Sequence, residues 1–209
     1  MLAGVTRGCG KVLSQNNLLI LGAEQYGTMA AEIADAMGVF GRIAFLDDSY
    51  KASAASQQEC HPERSEGSSQ ISLIGAFADL PKFAGEFRYG FVAIGNPALR
   101  HKLTEQLLYN CITPAILVHP KAYVSPSAQL QKGCCIEPNA TVQSGAVVAT
   151  SSFIASGAVV RHDAFVGEFC HVDCNAVVES LAVVPAETRI ACGSVFCKEQ
   201  GIGVSGHND

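Results

Sequence analysis

Residues 135–172 read CIEPNATVQSGAVVATSSFIASGAVVRHDAFVGEFCHV, and a large apolar residue returns in this stretch at every sixth position. The series continues in both directions without a gap and has thirteen members. Since 48% of the chain is hydrophobic, a random register would produce such a series with a probability of about one in ten thousand. The members are Val124, Leu130, Ile136, Val142, Val148, Ile154, Val160, Val166, Val172, Val178, Val184, Ile190 and Phe196.

A second series, of small side chains such as Ala140, Ala146 and Ala158, follows four residues after the first. A period of six does not fit the 3.6-residue α-helix but is a multiple of the two-residue strand period. Each hexad is therefore read as a short strand plus a corner, the signature of a parallel β-helix. A β-sandwich would need turn signals at a spacing of roughly 8–12 residues, which the segment lacks. We predict an all-β, left-handed parallel β-helix from about Val124 to Phe196, in a domain of residues 116–209.

The N-terminal half alternates strand-like and helix-like patterns, which is typical of a small parallel sheet of Rossmann-like type. We predict an α/β domain over residues 1–115, in which the polar stretch 51–70 is a flexible, solvated loop. The Cys60–His61 pair in that loop is read as incidental rather than as a metal site. The predicted elements are strands at 18–22, 43–46 and 91–96 and helices at 27–37 and 97–109.

Ligands of such sheets bind at the carboxyl ends of the strands. This rule predicts that Gly22, Asp47, Asp48, Gly95 and Asn96 share one rim. The two aspartates could accept hydrogen bonds from a ribose or base, or could cap the next turn, and the sequence favours neither interpretation. The turn that starts at Gly22 lacks the middle glycine of the dinucleotide fingerprint, so we expect no NAD site.

Composition excludes several classes of function. The net charge of −5 comes with scattered basic residues, so we expect no nucleic-acid partner. The apolar run at residues 18–23 is far shorter than the roughly 20 residues of a membrane span, and no cleavable signal precedes it. Nine cysteines without disulfide or zinc spacing indicate reduced, mostly buried thiols. We therefore expect a cytoplasmic protein that holds no metal and does not bind membranes.

Residues that interrupt the repeat are candidates for chemistry. Arg161, His162 and Asp163 fall in one hexad, and His171 follows half a coil later. A histidine suits proton transfer near neutral pH, and a neighbouring carboxylate can orient it and raise its basicity. The competing interpretation is an ordinary surface histidine.

The segment HDAFVGEFCHV, which starts at His162, closely resembles the hexapeptide acyltransferases of the PglD/NeuD type, which are bacterial sugar acetyltransferases. The likeness spans almost the whole chain. It includes the opening strand with Gly22–Ala23, the stretches Phe45–Asp48, Ile94–Asn96 with Arg100, His119–Pro120 and Ser125–Ala128, and the histidine segment.

The resemblance implies a role for the residues of the repeat. His162 matches the family's general base, and Asp163 matches an acidic residue that supports it. His171 matches a residue near the thioester of acetyl-CoA, the co-substrate. Cys192 falls where the family has a residue that contacts the cofactor, although a small buried thiol is the simpler interpretation.

The resemblance also implies that Asp47, Asp48 and Gly95 hold a nucleotide-sugar, and that the protein is a homotrimer with active sites between adjacent β-helices. A flat-walled prism suits packing around a three-fold axis. At the first turn the family usually has a histidine that reaches the sugar. Here Glu24, Gln25 and Tyr26 stand in its place, with Tyr26 at the histidine position.

The leading hypothesis is an acetyl-CoA-dependent N-acetyltransferase that acts on a UDP-linked amino-sugar in bacterial glycan biosynthesis. The resemblance implies that the acetyl group is transferred directly, with His162 as the general base. O-acetylation of a sugar or sialic acid is the close variant. A trimeric scaffold without activity is a second class, because the hexad register ends at Phe196, a coil earlier than the resemblance predicts, and part of the acetyl-CoA groove is expected to be missing. A γ-class carbonic anhydrase would need three histidines on zinc, and the repeat supplies two, His162 and His171.

Overall fold

The computed structural model describes residues 16–50 and 71–198. The predicted loop at 51–70, with Cys60 and His61, lies outside the described residues, as does the segment after residue 198.

The N-terminal domain contains one parallel sheet of five strands in the order β3-β2-β1-β4-β5. Its central strand β1 is buried along its whole length, because helices cover both faces of a sheet of this kind. This order and the parallel pairing confirm the Rossmann-like prediction. The strands are β1 Leu18–Leu21, β2 Ile43–Leu46, β3 Ser72–Gly75, β4 Tyr89–Val92 and β5 Thr113–Pro114.

Two α-helices and a 3₁₀ helix, Phe77–Phe83, cover this sheet. Helix α1, Gln25–Met37, ends at Gly38, whose left-handed φ of 63° closes the helix without steric cost. Helix α2, Pro97–Tyr109, begins where the side chain of Asn96 accepts a hydrogen bond from the Leu99 amide at 3.0 Å. The helices therefore follow β1 and β4, as the alternating pattern predicts.

The C-terminal domain is a stack of two-residue strands, all parallel, arranged in three walls. The first wall contains β6, β9, β12, β15 and β18; the second β7, β10, β13, β16 and β19; the third β8, β11, β14 and β17. The left-handed β-helix is confirmed. The strands are β6 Leu117–Val118, β7 Tyr123–Val124, β8 Gln129–Leu130, β9 Cys135–Ile136, β10 Thr141–Val142, β11 Val147–Val148, β12 Phe153–Ile154, β13 Val159–Val160, β14 Phe165–Val166, β15 His171–Val172, β16 Val177–Val178, β17 Val183–Val184, β18 Arg189–Ile190 and β19 Val195–Phe196.

Every member of the hexad series is the second residue of its strand and packs in the central core. The small series fits the corners, where Ala140, Ala146 and Ala158 are fully buried. The first residue of each strand points away from the prism, since successive side chains alternate between faces.

The three walls have different surroundings. On the first wall the outward residues Leu117, Cys135 and Phe153 are buried, because they pack against α1 and the sheet of the N-terminal domain. On the second and third walls, outward residues such as Tyr123 and Val183 are exposed. The first wall is therefore the interface between the domains.

Some boundaries differ from the sequence prediction. The strand predicted at 91–96 occupies Tyr89–Val92, because the chain leaves the sheet at Ala93 and turns into α2. The helix predicted from residue 27 begins at Gln25. The β-helix begins with β6, one strand earlier than Val124. Strands β3 and β5 and the 3₁₀ helix were not predicted, because each is short and lacks a clear apolar period.

Candidate active site

His162 lies at the corner between the second and third walls. Its Nδ1 is 3.0 Å from Oδ2 of Asp163, and its backbone amide donates to Oε1 of Gln143 at 3.1 Å. The side chains of His162 and Asp163 are 47% and 58% exposed. The structure therefore brings together the two residues predicted to act as base and support, on a surface open to other molecules.

Asp163 is held by the coil beneath it. Its backbone has a left-handed φ of 59°, and its amide donates to the Ser144 carbonyl at 2.9 Å. A Cβ added at Gly145 would lie 2.1 Å from Oδ1 of Asp163. The carboxylate thus occupies space that is open because residue 145 is a glycine.

A cavity of about 250 Å³ lies between the first wall and the start of α1. The Tyr26 hydroxyl is 3.3 Å from Nε2 of His171, and the two rings meet edge to face. Burial lowers the pKa of His171 and raises the pKa of Tyr26, so both side chains are neutral near pH 7. The cavity is lined by side chains that include Tyr26, Met29, Glu137, His171, Asp173 and Cys174.

Two buried carboxylates border this cavity. Asp173 lies 3.7 Å from Nε2 of His171 and accepts two hydrogen bonds from Arg189, at 3.0 and 2.7 Å. Burial acts to raise the pKa of Asp173, but the hydrogen bonds and charge of Arg189, the nearby His171 and the Cys174 amide together lower the pKa below its ordinary value. Burial raises the pKa of Glu137, although Ser156 donates two hydrogen bonds to it. Sequence analysis did not single out Glu137, Asp173 or Arg189. The signal that could have found them is the coil period, since Asp173 follows Glu137 by two coils and Arg189 pairs with His171 one coil on.

At the rim of the sheet, both predicted aspartates bind backbone amides. Asp47 accepts hydrogen bonds from Ala23 and Ser49, both at 2.8 Å. Asp48 accepts one from Phe77 at 3.1 Å. Asp47 therefore fixes the first turn, and Asp48 fixes the start of the 3₁₀ helix.

The first turn is tight. A Cβ at Gly27 would lie 2.0 Å from the Gly22 carbonyl oxygen. Helix α1 therefore approaches β1 more closely than any residue other than glycine at position 27 would allow. Glu24 is exposed at the N-cap without a side-chain cap bond, while Gln25 lines the cavity. Of the three residues at this turn, Tyr26 reaches the β-helix.

Arg100 ties the two domains together. It is 1% exposed and donates to the carbonyls of Ile94 and Gly95 in its own domain and of Ser151 and Phe169 in the β-helix. Burial lowers its pKa to about 10. No role was predicted for Arg100, because the sequence does not show whether an arginine on a helix is buried or exposed.

The predicted site residues form two groups within one chain. Tyr26 meets His171 at the first wall, and Gly95 lies next to it, since a Cβ at Gly95 would be 3.9 Å from Cε2 of Tyr26. His162 lies at the corner opposite that wall. Cys192 is exposed in the last corner, so its interpretation as a buried thiol is wrong.

The expectation that most cysteines are buried is also wrong for the described residues. Three of their seven free cysteines are buried, and the others lie on corners or loops with partial or full exposure. Within residues 16–50 and 71–198, no three His, Cys, Asp or Glu side chains are grouped to hold a metal ion. No helix in the described part of the chain is long and apolar enough to cross a membrane.

Comparison with known proteins assigns the family. The family model described as the PglD N-terminal domain matches residues 17–107. The acetyltransferase domain of PglB from Neisseria gonorrhoeae FA1090, solved with acetyl coenzyme A, is 30% identical. The match covers 87% of this chain and 82% of that one, with a TM-score of 0.74. The chain belongs to the PglD/NeuD-type sugar acetyltransferases of the hexapeptide-repeat family. It is therefore an acyltransferase.

Two solved structures of lower identity share the fold. PerB from Caulobacter crescentus, solved with CoA and GDP-perosamine, is 19% identical, with coverage of 94% and 92% and a TM-score of 0.67. WeeI from Acinetobacter baumannii AYE is 14% identical, with coverage of 86% and 87% and a TM-score of 0.59. Among curated proteins, none matches this chain in sequence.

Proposed function

We propose that this chain is an N-acetyltransferase that uses acetyl-CoA to acetylate a UDP-linked amino-sugar in bacterial glycan biosynthesis. The observation that carries the proposal is the His162–Asp163 pair, 3.0 Å apart, on the scaffold of this family. The gonococcal relative, described with acetyl coenzyme A, supports the choice of donor. We place the reaction in the cytoplasm, where the free thiols of the described residues would stay reduced.

The geometry of the pair suits a general base. When Nδ1 of His162 donates to Asp163, its Nε2 is left as the proton acceptor. In the proposed direct transfer, the amino group first loses its ammonium proton to water. The neutral nitrogen then attacks the thioester carbonyl carbon while Nε2 takes a second proton from it. The C–N bond forms, the C–S bond breaks, and the proton returns to the departing thiolate. Acetyl-CoA supplies the activated acetyl group.

The other predicted residues are assigned to binding. Asp47, Asp48 and Gly95 would line the nucleotide end of the acceptor at the rim, with Glu24 and Gln25 beside them. Tyr26 would contact the sugar. We assign His171 and Cys192 to contacts with the acetyl-CoA arm. His171 lies 3.3 Å from the Tyr26 hydroxyl, so it would contact the acetyl end of the arm where that end meets the sugar.

We also propose a homotrimer whose active sites combine two copies of the chain. His162 and Tyr26 lie on different sides of one prism, so a second copy is needed to bring them together. The walls that flank His162 expose large apolar side chains, including Tyr123 at 58%, Val183 at 61% and Phe165 at 39%. Exposed apolar surface of this kind is typical of protein interfaces. Sedimentation equilibrium should give three times the chain mass.

The test is release of free CoA from acetyl-CoA in the presence of UDP- and GDP-linked amino-sugars. His162→Ala should lower kcat by about 10²–10⁴-fold, the contribution of a general base. His119→Ala is the matched control, because His119 lies in the first coil and its Nδ1 accepts a bond from the Lys121 amide. Sedimentation should show the same mass for both variants.

The outcomes separate the alternatives. Turnover of hydroxy-sugars but not amino-sugars would assign O-acetylation. No turnover together with no binding of acetyl-CoA in calorimetry would identify a scaffold. Full activity of His162→Ala would refute its role as the base.

A further inference from the structure

The cavity at the first wall has the size of one sugar ring. Its volume of about 250 Å³ lies below the roughly 300–1,000 Å³ of pockets that enclose whole drug-sized ligands. It is therefore too small for an entire nucleotide-sugar.

Tyr26 connects this cavity to the rim of the sheet. On one side its ring lies beside Gly95, and on the other its hydroxyl reaches His171. A ligand whose nucleotide lies along the rim can therefore extend its sugar past Tyr26 into the cavity.

Glu137 is a buried polar group in the cavity with unused bonding capacity. It is 4% exposed, and its Oε2 accepts hydrogen bonds from the amide and hydroxyl of Ser156, both at 2.9 Å. Its Oε1 receives no hydrogen bond from any described residue. Oε1 is not sealed from solvent, so a hydrogen-bond donor that enters the cavity can reach it.

The charges around the cavity leave one group uncompensated. Arg189 neutralises Asp173, and burial keeps His171 in its neutral form. Burial also raises the pKa of the Cys174 thiol, which stays protonated. The remaining negative charge belongs to Glu137, and a positive group beside it would favour the ionised carboxylate.

We propose that Glu137 determines specificity by binding the ammonium group of the acceptor sugar in this cavity. This inference rests on the proposed function and adds to it the residue that distinguishes an amino-sugar from a hydroxy-sugar. A hydroxyl donates to the carboxylate as a neutral group, whereas an ammonium group adds the attraction between opposite charges to the hydrogen bond.

The experiment compares matched ligands by calorimetry without acetyl-CoA, so that binding is measured apart from catalysis. The pairs are UDP-glucosamine against UDP-glucose and GDP-perosamine against GDP-rhamnose. The wild-type protein should bind the amino member of at least one pair ~10-fold more tightly or better, as expected for a hydrogen bond to a charged group. This comparison requires no variant.

Three variants test the residue. Glu137→Gln keeps the shape but removes the charge, and should bind both members of the pair equally. Glu137→Asp keeps the charge and should keep part of the preference. Asp35→Asn, which removes an exposed carboxylate from α1, should bind like the wild type. Thermal unfolding identifies any variant that fails to fold.

The results distinguish this inference from the proposed function. If Glu137→Gln keeps the preference, or if the wild type binds both members equally, the inference is wrong even when acetyl transfer is observed. If the preference depends on Glu137 but no CoA is released, the subsite stands and the proposed activity fails. If no member of either pair binds, both are wrong.

Discussion

Replacing Gly145 with alanine should damage catalysis through Asp163, without touching the proposed base directly. The new Cβ would lie 2.1 Å from Oδ1 and 3.2 Å from Cγ of Asp163, whereas ordinary contact begins at 3.4 Å. The carboxylate must therefore move by more than about 1 Å, and Nδ1 of His162 loses its partner. A displacement of about 1 Å in a catalytic group costs roughly 10²-fold in rate, or about 2.7 kcal/mol of activation free energy.

The substitution also has a cost that is unrelated to Asp163. Gly145 has a left-handed φ of 68°, and a side chain in that conformation costs about 1–2 kcal/mol. Gly38→Ala is the matched control, because Gly38 has a φ of 63° and no atom within 4 Å of the added Cβ. The free energy of unfolding should fall in both variants.

The assay is the CoA-release rate over a range of acceptor concentrations, together with calorimetric unfolding. Gly145→Ala should lose about 10²-fold in kcat, while Gly38→Ala should keep the wild-type kcat. Equal kcat values for the two variants, with Gly145→Ala folded, would show that the position of Asp163 over Gly145 does not matter for catalysis.

Arg100→Met should lower the free energy of unfolding by about 3–5 kcal/mol, because it leaves buried carbonyls without donors. Both variants are measured by denaturant titration. Arg42→Met, which breaks a half-exposed pair with Glu86, should lower the free energy of unfolding by less than about 1 kcal/mol. An equal loss in the two variants would show that Arg100 does not hold the domains together. For His171→Asn, the pH dependence of stability is the readout. Burial lowers the pKa of His171 from 6.5, so the unfolded state binds more protons and wild-type stability falls as the pH drops below 6.5. Between pH 7 and pH 5, the unfolding temperature should fall less in His171→Asn than in the wild type. An equal fall in the two proteins would refute this prediction.

The β-helix could be predicted because its repeat is local and redundant. Each member of the series from Val124 to Phe196 repeats the same information, so no single ambiguous residue could change the result. The prediction of the N-terminal domain was less complete, since β5 has two residues and β3 is partly exposed. Such strands are defined by their neighbours in the sheet rather than by their own pattern.

The candidate site likewise has one part that could be predicted from the sequence and one that could not. His162 and Asp163 are adjacent in sequence, and their pairing could be predicted from that alone. The group around Glu137 could not be recognised as a cavity, because the repeat does not reveal which of the three walls the N-terminal domain covers. The role of Asp47 and Asp48 could not be predicted either. In a sequence, an acidic pair at the end of a strand looks the same whether it binds a ligand or backbone amides.

The three-walled coil has a consequence for how this chain can change in length. Strands of the same wall recur every 18 residues, as in the pairing of Val142 with Val160 and of Val160 with Val178. Adding or deleting a whole coil leaves every later residue on its own wall. A single hexad added between β6 and His162 would instead rotate everything after it by a third of a turn, and would carry His162 to the corner between the third and first walls, at the edge of the wall that the N-terminal domain covers. The length of this domain therefore changes in steps of one coil, and descendants of this chain can gain or lose whole coils far more readily than single strands.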